Sequence, residues 1–531
     1  MTQLYDIGRS ALASYQAALT AVSRNVANIN TPGYARQSVA FGQMPDGAGV
    51  DVLELTRNVD HYAQQAARGA TADRASSEVR SAALERLDTL FSDEATGLAE
   101  PLRRLQQSLS ALSANPTDVA ARQSVLSEAG SFAARVQSLS AGVADEAAQA
   151  TRSLASTVRS AQDSLDELAR VQSHLDKAGT VDAATASLMD KRDVLLGELS
   201  ESLGAKAQIR SNGQLELTLA NGQPLLRAGV AVRLSVGSDS FNQPQLMLDG
   251  VAQPARVLGG AVGGQLSLLS KDLPEAGDAL GRIASGIATL FNDAQAAGVD
   301  LDGNAGQALF DAPAPRLTAA ADNAGSANLS LSLDQSAELL TGRIQLRWDG
   351  ANWNAQDAAG ASLSLSGSGT PADPLRVAGL ALSVSGTPAV GDEFQVEPPV
   401  AGQLRLRSLS AEELATAPAG AAANSGDNSN LINLQQGLAG GYFDGGRTSV
   451  AEAVNQWVSR TGQSASSALS ATDVARAAED FAIARRESVQ GVNLDEEAAD
   501  LMRFEQAYQA AAQVMATANS LFESVLAAVR R

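Results

Sequence analysis

Residues 1–37 read MTQLYDIGRSALASYQAALTAVSRNVANINTPGYARQ. Tyr5, Gly8, Leu12, Tyr15, Leu19, Val22, Val26 and Ile29 alternate spacings of three and four, the seam of a coiled-coil helix. Gly8 and the tyrosines weaken that seam, so this helix is marginal alone and needs a partner. It stops at Asn30-Thr31-Pro32-Gly33-Tyr34. Proline cannot continue a helix, and Pro-Gly suits the two central positions of a type II turn. An alternating, strand-like run, Gly49-Val50-Asp51-Val52-Leu53-Glu54-Leu55, comes next.

The other end of the chain mirrors the first. Leu501, Phe504, Tyr508, Ala511, Met515, Ala518, Phe522, Val525 and Val529 repeat the three–four alternation. Asn493 and Glu496 have capping-box spacing, and Asp495 to Glu497 set negative charge on the positive end of the helix. Arg530 and Arg531 stand where the opposite end of the dipole favours cations. From Leu494 to Val529 the helix is ~54 Å long at ~1.5 Å per residue. Residues 1–36 hold Asp6 against Arg9, Arg24 and Arg36, a net +2; residues 494–531 hold six acids and three arginines, a net -3. Periodicity alone also allows two amphipathic helices on separate cores. The matched seams and opposite charges lead us to expect one domain built from both ends, with everything else looped out between them.

Between about 61 and 204 the pattern stays helical. Leu98, Leu102, Leu105, Leu109 and Leu112 form one seam, ended by Asn115-Pro116; Val143, Ala147, Ala150, Leu154, Val158, Ala161, Leu165 and Leu168 form another, closed near Gly179. A further helical stretch opens at 449, where Ser449 and Glu452 have capping-box spacing. The middle is different. Asn212-Gly213 and Asn221-Gly222 bracket the strand-like run 214–220, and residues 311–406 are rich in short strands, including Arg343-Ile344-Gln345-Leu346-Arg347-Trp348 before Asp349-Gly350. A helical interlude, roughly 272–297, separates these β regions, and 416–430 reads as a linker. The expected fold class is multidomain α+β: paired terminal coiled-coil helices, a long-helix bundle and inserted outer β domains. Its parts are 1–60 with 490–531; 61–205 with 264–310 and 425–489; a β-hairpin insert at 206–263; and an outer β domain plus linker at 311–424.

Composition limits the chemistry. A chain of 531 residues suggests three or four domains at roughly 150 residues each. Apolar residues make up 44% but aromatics only 4%, so the cores must use leucines and small side chains. Cysteine is absent and histidine occurs only at His61 and His174, which removes disulfides, thiolate nucleophiles and Cys/His zinc sites. Thirty-nine basic against 59 acidic residues give -20, which disfavours nucleic acid and anionic lipid as partners. No run of apolar residues is long enough to span a membrane, and the first residues lack the pattern of a signal peptide. Nucleotide-binding, zinc-protease and nucleophile-elbow motifs are missing. Asp300-Leu301-Asp302-Gly303-Asn304, with Asp311 at position 12, has the spacing of a calcium loop. Ala305 stands where that loop wants glycine, and an Asx-stabilised turn is the preferred reading. Trp348 and Trp353 flank the Asp-Gly turn and are expected to pack a hairpin. Composition therefore points to no cofactor and no enzyme.

Motifs at both ends carry a resemblance. Ala27-Asn28-Ile29-Asn30-Thr31-Pro32-Gly33-Tyr34-Ala35-Arg36-Gln37 resembles the N-terminal signature of the bacterial flagellar rod, hook and hook-associated axial protein family. Its Thr-Pro-Gly-Tyr-x-Arg-Gln form looks like that of hook-associated members. Ser488 to Ala499 and Tyr508-Gln509-Ala510-Ala511-Ala512 resemble the family's C-terminal signature, and Gly426-Asp427-Asn428-Ser429-Asn430 an internal segment. The resemblance implies a structural subunit of the hook–filament junction that self-assembles into a ring zone. It implies export through the flagellar type III pathway without a cleaved signal peptide, and an extracellular place in the flagellum. Implied partners are the hook subunit, a second junction protein and an export chaperone on the C-terminal helix. Terminal helices would form an inner tube, with β domains outward. The implied assembly residues are Leu12, Tyr15, Leu19, Val22, Val26, Asn28, Ile29, Asn30, Thr31, Pro32, Gly33, Tyr34 and Arg36 at one end. At the other they are Gly491, Val492, Asn493, Leu494, Asp495, Glu496, Leu501, Phe504, Tyr508, Met515, Phe522 and Val525. A hook or distal-rod subunit remains open within the class, and a secreted adhesin or carbohydrate-binding protein outside it.

Overall fold

The computed structural model describes residues 2–43, 49–178, 182–210, 213–227, 229–255, 258–333 and 342–529. Arg530, Arg531, Asn212 and Gly179, which the sequence marks as helix-end or turn residues, lie outside them. Helix α1 (Thr2–Ala27) leads through a turn into an antiparallel hairpin, β1 (Gln37–Gln43) with β2 (Val50–Arg57), carrying a bulge at Ala40/Phe41. Then come α2 (His61–Ser92), α3 (Ala99–Ala114), α4 (Val119–Leu175) and α5 (Ala183–Leu203). At ~1.5 Å per residue, the 57 residues of α4 span ~86 Å. Asp60, Asp118 and Asp182 each accept backbone N–H groups at the start of a helix.

The leucine seams read from the sequence are core. Leu98 at the N-cap of α3, Leu105 and Leu112 on α3, and Leu154, Leu165 and Leu168 on α4 are fully buried. Burying each such side chain contributes about 1.5–3 kcal/mol, which is where these long helices obtain stability that propensity alone does not give. Strands at Lys206–Ile209 and Leu215–Thr218 and a meander at Leu234–Ser238, Pro244–Leu248 and Val251–Gln253 follow. They have no core of their own: Leu217, Leu219, Leu234, Leu246 and Leu248 join the helical cluster.

The helical interlude begins earlier than its sequence suggests. Helix α6 (Gly260–Ser267) runs through a π-turn at Leu268–Asp272 into α7 (Leu273–Ala296). Glycines at 259, 260, 263 and 264 mask the helical signal, and they are there because backbones crowd: a Cβ on Gly264 would lie 2.5 Å from the Ser76 carbonyl oxygen. The outer β region is a separate body of two sheets. One has five strands, in the order Arg316–Ala319, Glu393–Glu397, Ile344–Trp348, Trp353–Asp357, Ser362–Leu363. The other has three, in the order Asn328–Leu333, Leu380–Ser385, Leu375–Val377. Ile344, Leu346, Leu382, Phe394 and Val396 fill a second core. Trp348 and Trp353 are a cross-strand pair with ring centroids 5.4 Å apart, and they pack the hairpin as the Asp-Gly turn suggests.

The stretch 416–430 is not a free linker. Ala417–Pro418 pairs with Gly298–Val299, and the fully buried Arg122 donates to the Pro116 carbonyl and Thr416 Oγ1, each at 2.6 Å, and to the Leu414 carbonyl. Its Ala/Gly/Ser composition hides these backbone bonds. At the candidate calcium loop, Asp300 Oδ1 accepts the Asp302 and Asn304 N–H groups at 2.9 and 2.8 Å, an Asx turn. The chain then returns through α8 (Ser429–Ala439) and α9 (Val450–Gln490) to α10 (Leu494–Val529). Both arms of the Ser449/Glu452 capping box are formed.

Candidate assembly interface

The two ends of the chain meet. α1 and α10 lie antiparallel, with Gly8 against Met515 and the start of α10 beside residues 25–37. A Cβ on Gly8 would come within 2.6 Å of Met515 Sδ, so the methionine side chain lies directly over this glycine. Phe41 bridges them, its ring 5.9 Å from Tyr15 and 6.0 Å from Phe504.

The contact seam differs from the heptad in the sequence. On α1 the buried positions are Gly8, Ser14, Ala18, Ala21, Val22 and Asn25, while Leu12, Tyr15 and Leu19 are half-buried. Tyr5, Val26 and Ile29 are exposed. On α10 only Glu497 and Ala511 are buried among the described side chains; Phe504 and Met515 are half-buried, and Leu494, Leu501, Tyr508, Phe522 and Val525 are exposed. The β1–β2 hairpin also packs on α1, Ser14 Oγ donating to the Val50 carbonyl at 3.1 Å, so α1 shares its buried face between the hairpin and α10. The large side chains are left on an outer face.

Polar groups lock the base of the pair. Tyr34 N–H donates to the Thr31 carbonyl at 3.2 Å, and Gly33 has φ +80°, as a type II turn requires. Asn28 Nδ2 donates to the Arg24 carbonyl and Oδ1 accepts from Thr31 Oγ1, closing the helix end. Asn30, Thr31 and Pro32 are exposed on the turn. The turn aims Arg36 at α10: Nε donates to Glu497 Oε1 at 2.6 Å, Nη1 to Glu496 Oε2 at 2.9 Å and Nη2 to Asp500 Oδ2 at 3.4 Å. Glu497 also accepts Asn25 Nδ2 at 3.0 Å, and its side chain is 1% exposed. A buried carboxylate is tolerable only with this many donors.

Asn25 uses every polar atom. Nδ2 donates to the Gln37 carbonyl at 2.9 Å; Oδ1 accepts the Gln37 N–H at 2.9 Å and the Tyr34 hydroxyl at 2.8 Å. Burial, with the Asp190 and Glu497 charges, pushes the Tyr34 hydroxyl up to about 12. Beneath, Arg57 pairs with Asp190 and, at 2.9 Å, with Asp193, both on α5. Burial raises the Asp190 carboxyl above its ordinary value against the pull of Arg57; at Asp193 the Arg192 and Arg57 charges overcome burial and hold it low.

The capping box expected at Asn493 is replaced by a simple N-cap bond to the second residue of the helix. Asn493 Oδ1 accepts the Asp495 N–H at 3.0 Å, but Glu496 turns to Arg36 instead of returning to the cap. Attraction to the helix dipole is not the whole role of these acids, because they receive an arginine from the opposite terminus. Gly491 is extended between α9 and α10, and Val492 lines the cleft beside it. The residues that sequence reasoning missed are Asn25, Gln37, Arg57, Asp190, Asp193, Glu497 and Asp500. The one available signal was the excess of acid at the start of α10 against arginine at the end of the N-terminal segment.

An elongated multidomain chain closed at its two ends by a buried polar clamp, with an apolar helix pair left outward, is an assembly subunit of the axial type. Comparisons identify which. The chain matches the helical domain of flagellar hook-associated protein FlgK over residues 84–310, the C-terminal region of flagellar basal body rod FlgEFG proteins over 488–528, and the flagella basal body rod protein over 6–34. It is 26% identical to flagellar hook-associated protein 1 of Salmonella typhimurium, covering 99% of this chain and 100% of that protein. It is 27% identical to flagellar hook-associated protein 1 of Escherichia coli K12 with the same coverage. The flagellar hook junction protein FlgK from Burkholderia pseudomallei superposes with a TM-score of 0.72 at 20% identity, covering 80% of this chain and 100% of that one. Over its full length the chain is similar to flagellar hook-associated protein 1, and the FlgK helical-domain match lies within it.

Proposed function

We propose that this chain is a structural subunit of the flagellar hook–filament junction, exported through the flagellar type III pathway and assembled outside the cell through its terminal helices. The observation that carries the reading is the clamp between the signature residues of both ends: Arg36 on Glu496, Glu497 and Asp500. It fixes an antiparallel helix pair on which Tyr5, Val26, Leu494, Leu501, Tyr508, Phe522 and Val525 stay exposed, so those side chains reach a buried state only among neighbouring subunits. Helices that depend on packing can cross a channel unfolded and form on arrival. The hook subunit, the second junction protein and a chaperone that covers the C-terminal helix are the partners of this proposal. It assigns no reaction, since the joint's carboxylates are engaged by arginines and the polar network is spent on holding two termini together. Deleting residues 494–531 is expected to leave a folded core that does not join hooks, and cells that make hooks without filaments. A truncated chain that still carries filaments on hooks overturns the proposal.

A further inference from the structure

The chain passes between the helical body and the outer β body through Asp311-Ala312-Pro313-Ala314-Pro315 and again through Glu397-Pro398-Pro399-Val400. Proline fixes its own φ and restricts the residue before it, so both crossings are stiff. They rest on α7: Ser285 Oγ donates to the Pro313 carbonyl at 2.9 Å, and a Cβ on Gly281 would lie 1.7 Å from the Pro399 carbonyl oxygen. Just beyond them Arg316 pairs with Glu397 across the first strands of the sheet, Nε donating to Oε2 at 2.8 Å. Stiff crossings still allow the outer body to tilt, unless something beyond the neck holds it. Arg343, before the strand Ile344–Trp348, reaches across to Asp278 on α7, with Nε 3.9 Å from Oδ2. The Ala321 N–H donates to the Ser240 carbonyl of the meander at 2.8 Å.

The contact of Arg343 with Asp278 is one of charge without a hydrogen bond. A separation of 3.9 Å is too long for one, and Arg343 Nε is buried with no acceptor. Asp278, Glu275 and Glu397 all stand near this guanidinium, and Glu397 is shared with Arg316. Arg282, one turn further along α7, is turned to Asp444 at 3.7 Å. Burial pushes the Asp278 carboxyl up to about 6 against the pull of Arg343, and the Glu397 and Glu275 charges add to the rise. Ionised Asp278 is therefore the costly form while the outer body is seated over it. Tilting that body away lets the carboxyl return towards its ordinary 3.8. The seated form thus binds a proton more tightly than the tilted one. Seating is strengthened as pH falls through 6 and weakened as pH rises past that value.

We propose that Asp278 is an acid-set latch for the outer β body: protonated, it seats that body on α7; ionised, it lets the body tilt on its proline neck. The orientation of the outer body then follows the acidity of the medium, with neither core altered. The chain has no cysteine, so dyes on Ala359→Cys and Ser466→Cys report alone. Both positions are exposed, one on the outer body and one on α9. By single-molecule energy transfer on the full-length protein, the ratio of seated to tilted molecules should fall about tenfold from pH 5 to pH 7.5. Asp278→Asn, neutral at every pH, should stay seated at both. Arg343→Gln removes the cation that holds the carboxyl down, and should tilt more at pH 7.5 while still seating at pH 5. Thermal unfolding of each variant follows the cores. Should Asp278→Asn unfold early, Glu275→Gln supplies the test at an exposed position: its midpoint should move to lower pH. A ratio that is the same at pH 5 and pH 7.5, a pH response that survives Asp278→Asn, or an unmoved midpoint in Glu275→Gln overturns the latch.

Discussion

Two helix interfaces in this molecule bury opposite kinds of side chain. α3 and α4 meet over leucines, valines and phenylalanines that water does not reach. The buried positions of α1 and α10 are Gly8, Ser14, Ala18, Ala21, Val22, Asn25, Glu497 and Ala511, while Tyr5, Tyr508, Leu494, Leu501 and Phe522 stay exposed. The first interface stabilises the subunit by removing apolar area from water. The second buries small side chains, and its base is fixed by the polar contacts of Arg36, Asn25 and Glu497. The apolar surface it leaves exposed is the surface that the proposed contacts between subunits would cover.

The sharpest way to break the second interface is to remove the clamp's cation. Arg36→Ala leaves Glu497 buried with only the Asn25 amide, a loss of about 3–5 kcal/mol for an uncompensated buried charge. The cost should fall locally: amide exchange in 488–505 accelerates, while the melting of the helical core stays put. The contrasting core change, Leu105→Ala, should cost about 2–5 kcal/mol and lower the main melting transition, with the joint intact at lower temperature. If both variants move the same transition equally, the two interfaces are one cooperative unit and the distinction is wrong.

A pH experiment isolates the Tyr34 hydroxyl. Its folded value is raised from 10 to about 12. A raised value stabilises the fold fully below pH 10, and the stabilisation is lost as pH climbs from 10 through 12. The joint should therefore loosen across that window, as read by exchange or limited proteolysis near 490. Tyr34→Phe should remove this component of the alkaline loss, and at pH 7 cost about 1 kcal/mol for the hydrogen bond to Asn25. The smallest expected effect in solution is Leu12→Ser. On a half-buried face, it should change subunit stability by less than about 1 kcal/mol and yet reduce incorporation into hooks. A large loss of melting temperature would mean that this face already belongs to the subunit core.

The fold was mostly legible where one periodicity ruled. The leucines from 98 to 112, the heptad from 143 to 168 and the Ser449/Glu452 box have their partners within a turn or a seam, and spacing reports such order directly. Glycines hid α6, and an alanine- and serine-rich stretch hid the pinning of 411–416 by Arg122, because both depend on backbone groups that carry no sequence signature. At the assembly interface the turn and the terminal pairing were readable, but the polar clamp was not. Arg36 and Glu497 stand 461 positions apart. Nothing in helix periodicity says which acid at a helix start will meet a distant arginine and which will only face the dipole. Asn25 was harder still: one amide among the small residues of α1 that the seam analysis passed over in favour of leucines and tyrosines.

That separation of 461 positions has a kinetic meaning. Closing so large a loop in an unfolded chain carries a heavy entropic charge before any contact rewards it. The packing of α2 on α9, tied by Arg74 to Glu479 and by Thr472 to Ser81, holds the ends of the interior, near residues 61 and 490, close together. After that, only 37–60 and 491–497 remain as tether, and the clamp closes as a short loop. The terminal pair is thus conditional on a finished interior. Without that packing the same pair of termini would have to close against the whole length of the chain between them, so the joint is weaker on a subunit whose α2–α9 packing is broken.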